Sequence, residues 1–245
     1  MRQLLPSSMD TVDAVELDRA YGGEPADFLR INFVASADGA SSLDGRAGGL
    51  GSPTDQQVLR LLRDRSDAIM VGAGTAQAEG YRPLRDHPAR AEPRAARGQS
   101  RVPPLVLVSQ RLTIAPEDPV IARAVAPTII VTCASSDRGR RQALAAVTPV
   151  IVSGTDTVDL LGARRALAER GLRQLVCEGG PTLFATALRA GIVDELCLTV
   201  SPMLTGPGPG RIVDSSLRID PVRLRLRHLL EEDGFLFLRY ALDAD

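Results

Sequence analysis

Lysine is absent from this 245-residue chain, and all 29 basic side chains are arginines. That excludes a Schiff-base lysine and a Walker-type phosphate loop, which requires Gly-Lys-Ser/Thr. Histidine is scarce: His87 lies in a Pro/Arg-rich stretch and His228 in a β-like run. No His or Cys pair has metal-ligand spacing, so no metal is expected. Tryptophan is missing, and no Gly-x-Ser-x-Gly elbow occurs. The three cysteines, Cys133, Cys177 and Cys197, sit inside apolar runs, as expected of reduced, buried thiols in a cytoplasmic protein. No apolar stretch approaches the roughly 20 residues that span a bilayer, and the N-terminus lacks a basic-then-apolar signal pattern. A net charge of −1 gives neither nucleic acid nor an anionic membrane a reason to bind. What remains is carboxylate, hydroxyl, arginine and backbone chemistry acting on a small molecule with a borrowed cofactor.

A hydrophobic content of 44% can supply a full core for one large α/β domain or two small ones. Residues 1–27 mix Pro, Gly and acids with weak periodicity and read as an N-terminal arm. Residues 28–245 read as one domain without linker or repeat. Arg30 to Ala35 is the first convincing strand. Val58, Leu59, Leu61 and Leu62 then give a helix face, opened by Ser52 as N-cap, Pro53 in the first turn and Asp55 in the place of a capping-box acid. Strands are expected at 67–72, 105–108, 128–131, 150–152, 175–177 and 195–200. Helices are expected at 136–146, 156–170 and 181–189, and residues 82–104 read as a long functional or mobile loop. Val222 to Leu230 alternates with Arg223, Arg225 and Arg227, and Asp233-Gly234 turns it into a hairpin with Phe235 to Tyr240. This pattern predicts a three-layer α/β/α domain with a mostly parallel sheet and an antiparallel C-terminal hairpin.

Leu175-Val176-Cys177-Glu178-Gly179-Gly180-Pro181 is the most informative segment. An apolar run ends in an acid and two glycines, and a proline then opens a helix. Paired glycines allow close approach to a ligand, and a helix N-terminus offers free N–H groups to an anion. An ordinary strand–turn–helix connection explains the same residues. Ser36, Gly72, Ser109, Thr132 and Glu178 all fall at the ends of expected strands, where open α/β sheets bind ligands, and this shared placement favours a phosphate cradle.

Several segments together resemble the reductase domain of bacterial riboflavin biosynthesis, which shares the dihydrofolate reductase fold. They are Asn32-Phe33-Val34-Ala35-Ser36-Ala37-Asp38-Gly39, Leu62-Arg63 with Asp67 to Thr75, Pro104 to Ser109, Glu178 to Leu183, and Val193 to Leu196 through Ser201-Pro202. The resemblance spans residues 28–242 and implies NADPH as cofactor. It would place Ala35, Gly72, Gly74 and Thr75 along the cofactor, with Gly179, Gly180, Pro181, Thr182 and Leu183 cradling its pyrophosphate. Ser109 and Arg111 would lie near the adenosine 2′-phosphate, where a guanidinium suits NADPH, although Arg111 reads equally as a solvated loop arginine. Arg63 matches a substrate-binding arginine, Glu79 stands where the family commonly has Asp, and Arg82 or Arg85 is placed to take a substrate phosphate. Asn32 replaces a frequent lysine, and a family serine aligns near Ala47. The family's bifunctional members carry a zinc deaminase domain, whose ligands residues 1–27 lack, so a standalone reductase is expected. Family members are often homodimers, a role open to the alternating arginine strand.

Two mechanisms follow from the resemblance. In the riboflavin-type reading, hydride goes to an imine-like ribose carbon of 5-amino-6-(5-phosphoribosylamino)uracil, and Glu178 and Asp38 orient substrate and nicotinamide. Asp38-Gly39 is equally a plain turn. In the folate-type reading, a carboxylate early in the first helix holds a pteridine, and Asp55 occupies the matching place unless it merely caps its helix. A nucleotide-binding homologue without turnover is the third possibility.

Overall fold

The computed structural model describes residues 1–216 and 218–242. Along the chain these form β1 (Arg2–Leu5), α1 (Ala14–Ala20), β2 (Phe28–Ser36), α2 (Pro53–Arg65), β3 (Ala68–Gly72), α3 (Ala73–Ala78), α4 (Pro88–Ala96), β4 (Leu105–Val108) and α5 (Pro119–Ala122). They continue with β5 (Ile129–Thr132), α6 (Arg138–Ala145), β6 (Val150–Val152), α7 (Leu160–Ala168), β7 (Gln174–Cys177), α8 (Pro181–Arg189), β8 (Glu195–Ser201), β9 (Leu224–Glu232) and β10 (Phe235–Leu242). The strands form one sheet in the order β1-β9-β10-β8-β2-β7-β3-β4-β5-β6. From β8 to β6 neighbours run parallel, whereas β1, β9 and β10 add an antiparallel edge.

Strand side chains point alternately to opposite faces, so each continuous apolar run feeds two cores. Ala68, Met70 and Val106 pack on one face with Leu29, Ile31 and Phe184, and Ile69, Val71, Leu105 and Leu107 pack on the other with Val58 and Leu62. The long apolar runs read from the sequence are therefore strands covered on both sides, and the α/β architecture with its terminal hairpin is as expected.

Three segments differ from that expectation. Residues 2–5 add a strand beside β9, and α1 buries Leu17, with Tyr21 beyond it, so the arm packs onto the sheet. The stretch 82–104 contains α4, which has Pro93 inside it and starts at Pro88. The helix expected over 156–170 begins only at Leu160, where Asp159 caps it.

Helix α2 carries the cleft's charged wall. Ser52 Oγ accepts from the Asp55 N–H at 3.0 Å, as expected of an N-cap. The Asp55 carboxylate does not complete a capping box; it packs against Gly51, 2.8 Å from where a Cβ would stand. At the other end of α2, the buried Arg94 guanidinium donates to the carbonyls of Arg63, Asp64 and Ser66 at 2.9, 3.1 and 2.6 Å. A cation on those unpaired carbonyls complements the helix dipole and holds the turn that carries Arg63.

Candidate active site

The middle of β2 and the segments that follow β3 and β7 surround a cavity of about 700 Å³. Its walls come from mid-β2 (Asn32, Phe33, Val34), the 41–48 loop, α2 (Asp55, Leu59, Arg63), the segment after α3 (Glu79 to Arg85) and Glu178-Gly180-Pro181. The cavity therefore gathers Asn32, Asp55, Arg63, Thr75, Glu79, Arg82, Glu178, Gly180 and Pro181 from the residues singled out in the sequence.

Glu178 and Arg63 form a bidentate pair: Nε and one terminal nitrogen of Arg63 donate to Oε1 and Oε2, each at 2.6 Å. The Tyr81 hydroxyl donates to Glu178 Oε2, and its ring lies 5.7 Å from the Arg63 guanidinium carbon. Such a fork fixes orientation as well as charge. Burial pulls the Arg63 pKa down, but the Glu178 charge and its hydrogen bonds outweigh that and raise it. Burial and then the Glu178 charge push the Tyr81 phenol far up, so Tyr81 stays a donor. Tyr81 carried no motif; Gly80, at φ +67°, turns the chain after α3 and aims it inward.

Asp55 is the cavity's other buried acid, with 6% of its surface exposed. Burial raises its pKa, against the pull of a hydrogen bond with Thr199. Glu79 instead accepts the Ala47 N–H at 2.8 Å and pins the 41–48 loop. Ala47, where the family serine aligns, lines the cavity together with Ser41 and Ser42 of the same loop.

Asp38 stands outside the cavity lining. It accepts from the Ser36 hydroxyl, the Thr205 N–H at 3.1 Å and the Gly206 N–H at 2.8 Å. The Ser36 hydroxyl first, then the Gly206 and Thr205 amides, hold its carboxyl at about 2. It tethers the 203–210 loop, whose Gly210 reaches the cavity and accepts from Ser41 N at 2.8 Å.

The glycine pair closes the floor. Gly72 N donates to Gly179 O at 2.8 Å, and the Gly179–Gly180 peptide is cis. A Cβ on Gly179, at φ +79°, would stand 2.5 Å from Phe33 Cζ, and one on Gly180 would overlap Thr75 Oγ1. The space beside Gly74 is open, with nothing within 4 Å of an added Cβ. Gly72 and Gly180 are the N-caps of α3 and α8, and neither helix start has a side-chain cap. Two neighbouring helix starts thus leave backbone N–H groups without side-chain partners beside a glycine surface, a fit for a pyrophosphate. Thr182 is exposed in the first turn of α8, whereas Leu183 turns into the core. Ala35 is buried in β2, paired with Val200, outside the cavity lining. Ser109 is buried beyond β4, with Arg111 exposed after it.

A family model described as the RibD C-terminal domain matches residues 27–233. A protein of Methanothermobacter thermautotrophicus named 2,5-diamino-6-ribosylamino-4(3H)-pyrimidinone 5′-phosphate reductase is 31% identical over 206 residues, 82% of this chain and 88% of that protein. The protein of that name from Archaeoglobus fulgidus is 29% identical over 183 residues, 73% of this chain and 82% of its own length. Among solved structures, a pyrimidine reductase-like protein from Corynebacterium diphtheriae superposes with a TM-score of 0.82 at 31% identity, covering 94% of this chain and 99% of that one. With its α/β sheet, its glycine floor and its match from residue 27 to residue 233, the chain belongs to the RibD C-terminal domain family.

Proposed function

We propose that this chain is an NADPH-dependent reductase of a ribosylaminopyrimidine 5′-phosphate, acting at the ribosyl carbon next to nitrogen. The observation that carries the reading is the Arg63–Glu178–Tyr81 cluster, set beside the glycine floor in one cavity. NADPH would supply the hydride. Gly74, Thr75, Gly180 and Thr182 would hold its pyrophosphate through backbone N–H groups, with Gly72, Gly179 and Pro181 shaping the surface beneath it. Ser109 and Arg111 would meet the 2′-phosphate and select NADPH over NADH.

Glu178 has both oxygens engaged by donors, so it holds the Arg63 guanidinium and the Tyr81 phenol in fixed orientation beside the reacting carbon. Arg63 keeps further N–H groups for the substrate, and Arg82 or Arg85 would take its phosphate with Ser42 across the loop. Asp55, the cavity acid whose pKa is raised, is suited to carry the proton that balances hydride addition. The open edge of β9 near Leu224 and Leu226, both exposed, would pair with a second copy in a homodimer.

Asp55 also favours a second reading. A buried acid of raised pKa in the first helix, with the Thr199 hydroxyl beside it, could hold a protonated pteridine as dihydrofolate-type reduction requires. Consumption of NADPH with 2,5-diamino-6-ribosylamino-4(3H)-pyrimidinone 5′-phosphate, its uracil counterpart and dihydrofolate separates the two. Turnover is expected with a ribosylaminopyrimidine phosphate, and Asp55→Asn should lower kcat by about 10²-fold without lowering the melting temperature, since Ser52 still caps α2. Turnover of dihydrofolate alone would establish the second reading, and cofactor binding without any turnover would overturn both.

A further inference from the structure

Another cavity, of about 460 Å³, lies at the opposite end of the sheet from the catalytic one and shares none of its lining residues. Its walls are the turn between α1 and β2 (Gly22 to Pro25), Asp194 and Glu195 at the start of β8, and the start of β9 paired with the end of β10. The alternating arginines of β9, which the catalytic cavity leaves unused, are gathered here. Strand alternation puts Arg225 and Arg227 on the face that carries Arg239 of β10, and all three line the cavity. The acids of the walls are already matched within the protein. Glu24 pairs with Arg30 at 2.6 Å and Arg65 at 3.4 Å, Glu195 with Arg30 and Arg239, and Asp194 with Arg164 at 2.8 Å. Four arginines thus meet three acids, and Arg225 and Arg227 come in addition. Arg227 is exposed and, among the described residues, forms no ion pair. In a chain whose charges nearly cancel, this leaves one cavity with a concentrated positive field.

We propose that this cavity is a second ligand site, separate from the catalytic one, that takes a compact phosphate monoester. Guanidiniums present forked donors that match phosphate oxygens, and a dianion answers the excess of arginine better than a single carboxylate does. The phosphate sits against Arg225, Arg227 and Arg239, and the organic part of the ligand against Pro25, Phe28 and Leu242, which supply the apolar side of the cavity. The volume is that of an ordinary small-metabolite site. Because the ligand bridges the α1–β2 turn, β8 and the β9–β10 hairpin, its binding stabilises the folded chain by mass action. None of this depends on the reaction carried out in the other cavity.

Calorimetric titration with inorganic phosphate at constant ionic strength, on the wild type and on Arg227→Gln, is the direct test. The side chain is exposed and unpaired, so its replacement leaves the fold's contacts in place. Phosphate affinity should fall about tenfold, as expected for one lost charged contact. Phosphate taken up by the catalytic cavity is common to both proteins and cancels in the comparison. Arg138→Gln removes an exposed arginine from the start of α6, near the other edge of the sheet, and should bind phosphate as the wild type does. An equal loss in Arg138→Gln would mean that net charge alone attracts the anion, and overturns the site. Equal affinity in the wild type and Arg227→Gln, or acetate bound as tightly as phosphate, also overturns it. Thermal unfolding gives a second readout. The rise in Tm produced by saturating phosphate should be about 3 °C smaller in Arg227→Gln than in the wild type, and equal rises count against the site.

Discussion

Arg63 connects the cleft's chemistry to its stability. It is the countercharge of Glu178, whose side chain is 5% exposed, and it supports the ring of Tyr81. Arg63→Met would leave the glutamate buried without a cation, a loss on the order of 3 kcal/mol, measurable by urea unfolding. Because the fork also orients Glu178, kcat/KM should fall by about 10²-fold. Arg63→Lys should restore most of the stability and little of the rate, since an ammonium cannot reproduce two parallel N–H donors. Equal recovery of both would mean that only charge matters at this position. Glu178 and Arg63 were legible in the sequence because each sits in a local pattern, one after a strand and one on a helix face. Tyr81 was not, because its role depends on a turn that returns it to a glutamate 97 positions away. Asp38 shows the reverse case. Its place after a strand suggested chemistry, while its partners, the Thr205 and Gly206 amides, make it a tether for the 203–210 loop.

At the scale of elements, the floor depends on β3 and β7 ending side by side with helices starting immediately after. An added Cβ at Gly180 would meet Thr75 Oγ1, so Gly180→Ala should lower stability as well as weaken NADPH binding. Pairing it with Thr75→Ala removes the clashing atom. In that double variant the melting temperature should recover while cofactor affinity, read by fluorescence titration, stays at least about tenfold weaker. Recovery of affinity together with stability would show that Gly180 serves packing and not the ligand. The glycine pair was visible in the sequence, but its contact with Thr75 was not, because it crosses between two βα turns. The same limit hid β1 and α4: a four-residue strand has meaning only beside β9, and Pro93 argued against a helix that tertiary contacts nevertheless hold.

At the scale of the whole molecule, the end of the sheet opposite the cleft is held by a buried polar network. Arg30 pairs with Glu195 at 2.5 Å and Glu24 at 2.6 Å, and Arg239 also reaches Glu195. His228 is 4% exposed beside it, in edge contact with Tyr21 at 4.8 Å. Burial first, and then the charges of Arg239 and Arg30, lower its pKa to about 4, while a hydrogen bond to the Ala20 carbonyl opposes them. A folded-state pKa below the unfolded value of 6.5 makes the unfolded chain bind the extra proton first. Stability from this residue is therefore full above pH ~6.5 and is lost as pH falls toward ~4, by about 3 kcal/mol in all. Urea unfolding across that range should show the loss in the wild type and a flatter profile in His228→Gln. Parallel profiles would assign the acid sensitivity to the carboxylates of the network.

By itself the sequence determined the order of β2 to β10 with α2, α6, α7 and α8, the apolar runs that demand two covering layers, and a chemistry confined to acids, hydroxyls, arginines and glycine backbone. Those properties are local, set by the periodicity of neighbouring residues and by which side chains the chain contains. Only the tertiary structure decided what each acid touches. Glu178 is clamped by Arg63 and Tyr81, Asp55 is desolvated against Gly51, Glu79 pins a loop, and Asp38 tethers another. Proton affinity and hydrogen-bond partners depend on burial and on charges brought together from distant segments, and packing alone sets both.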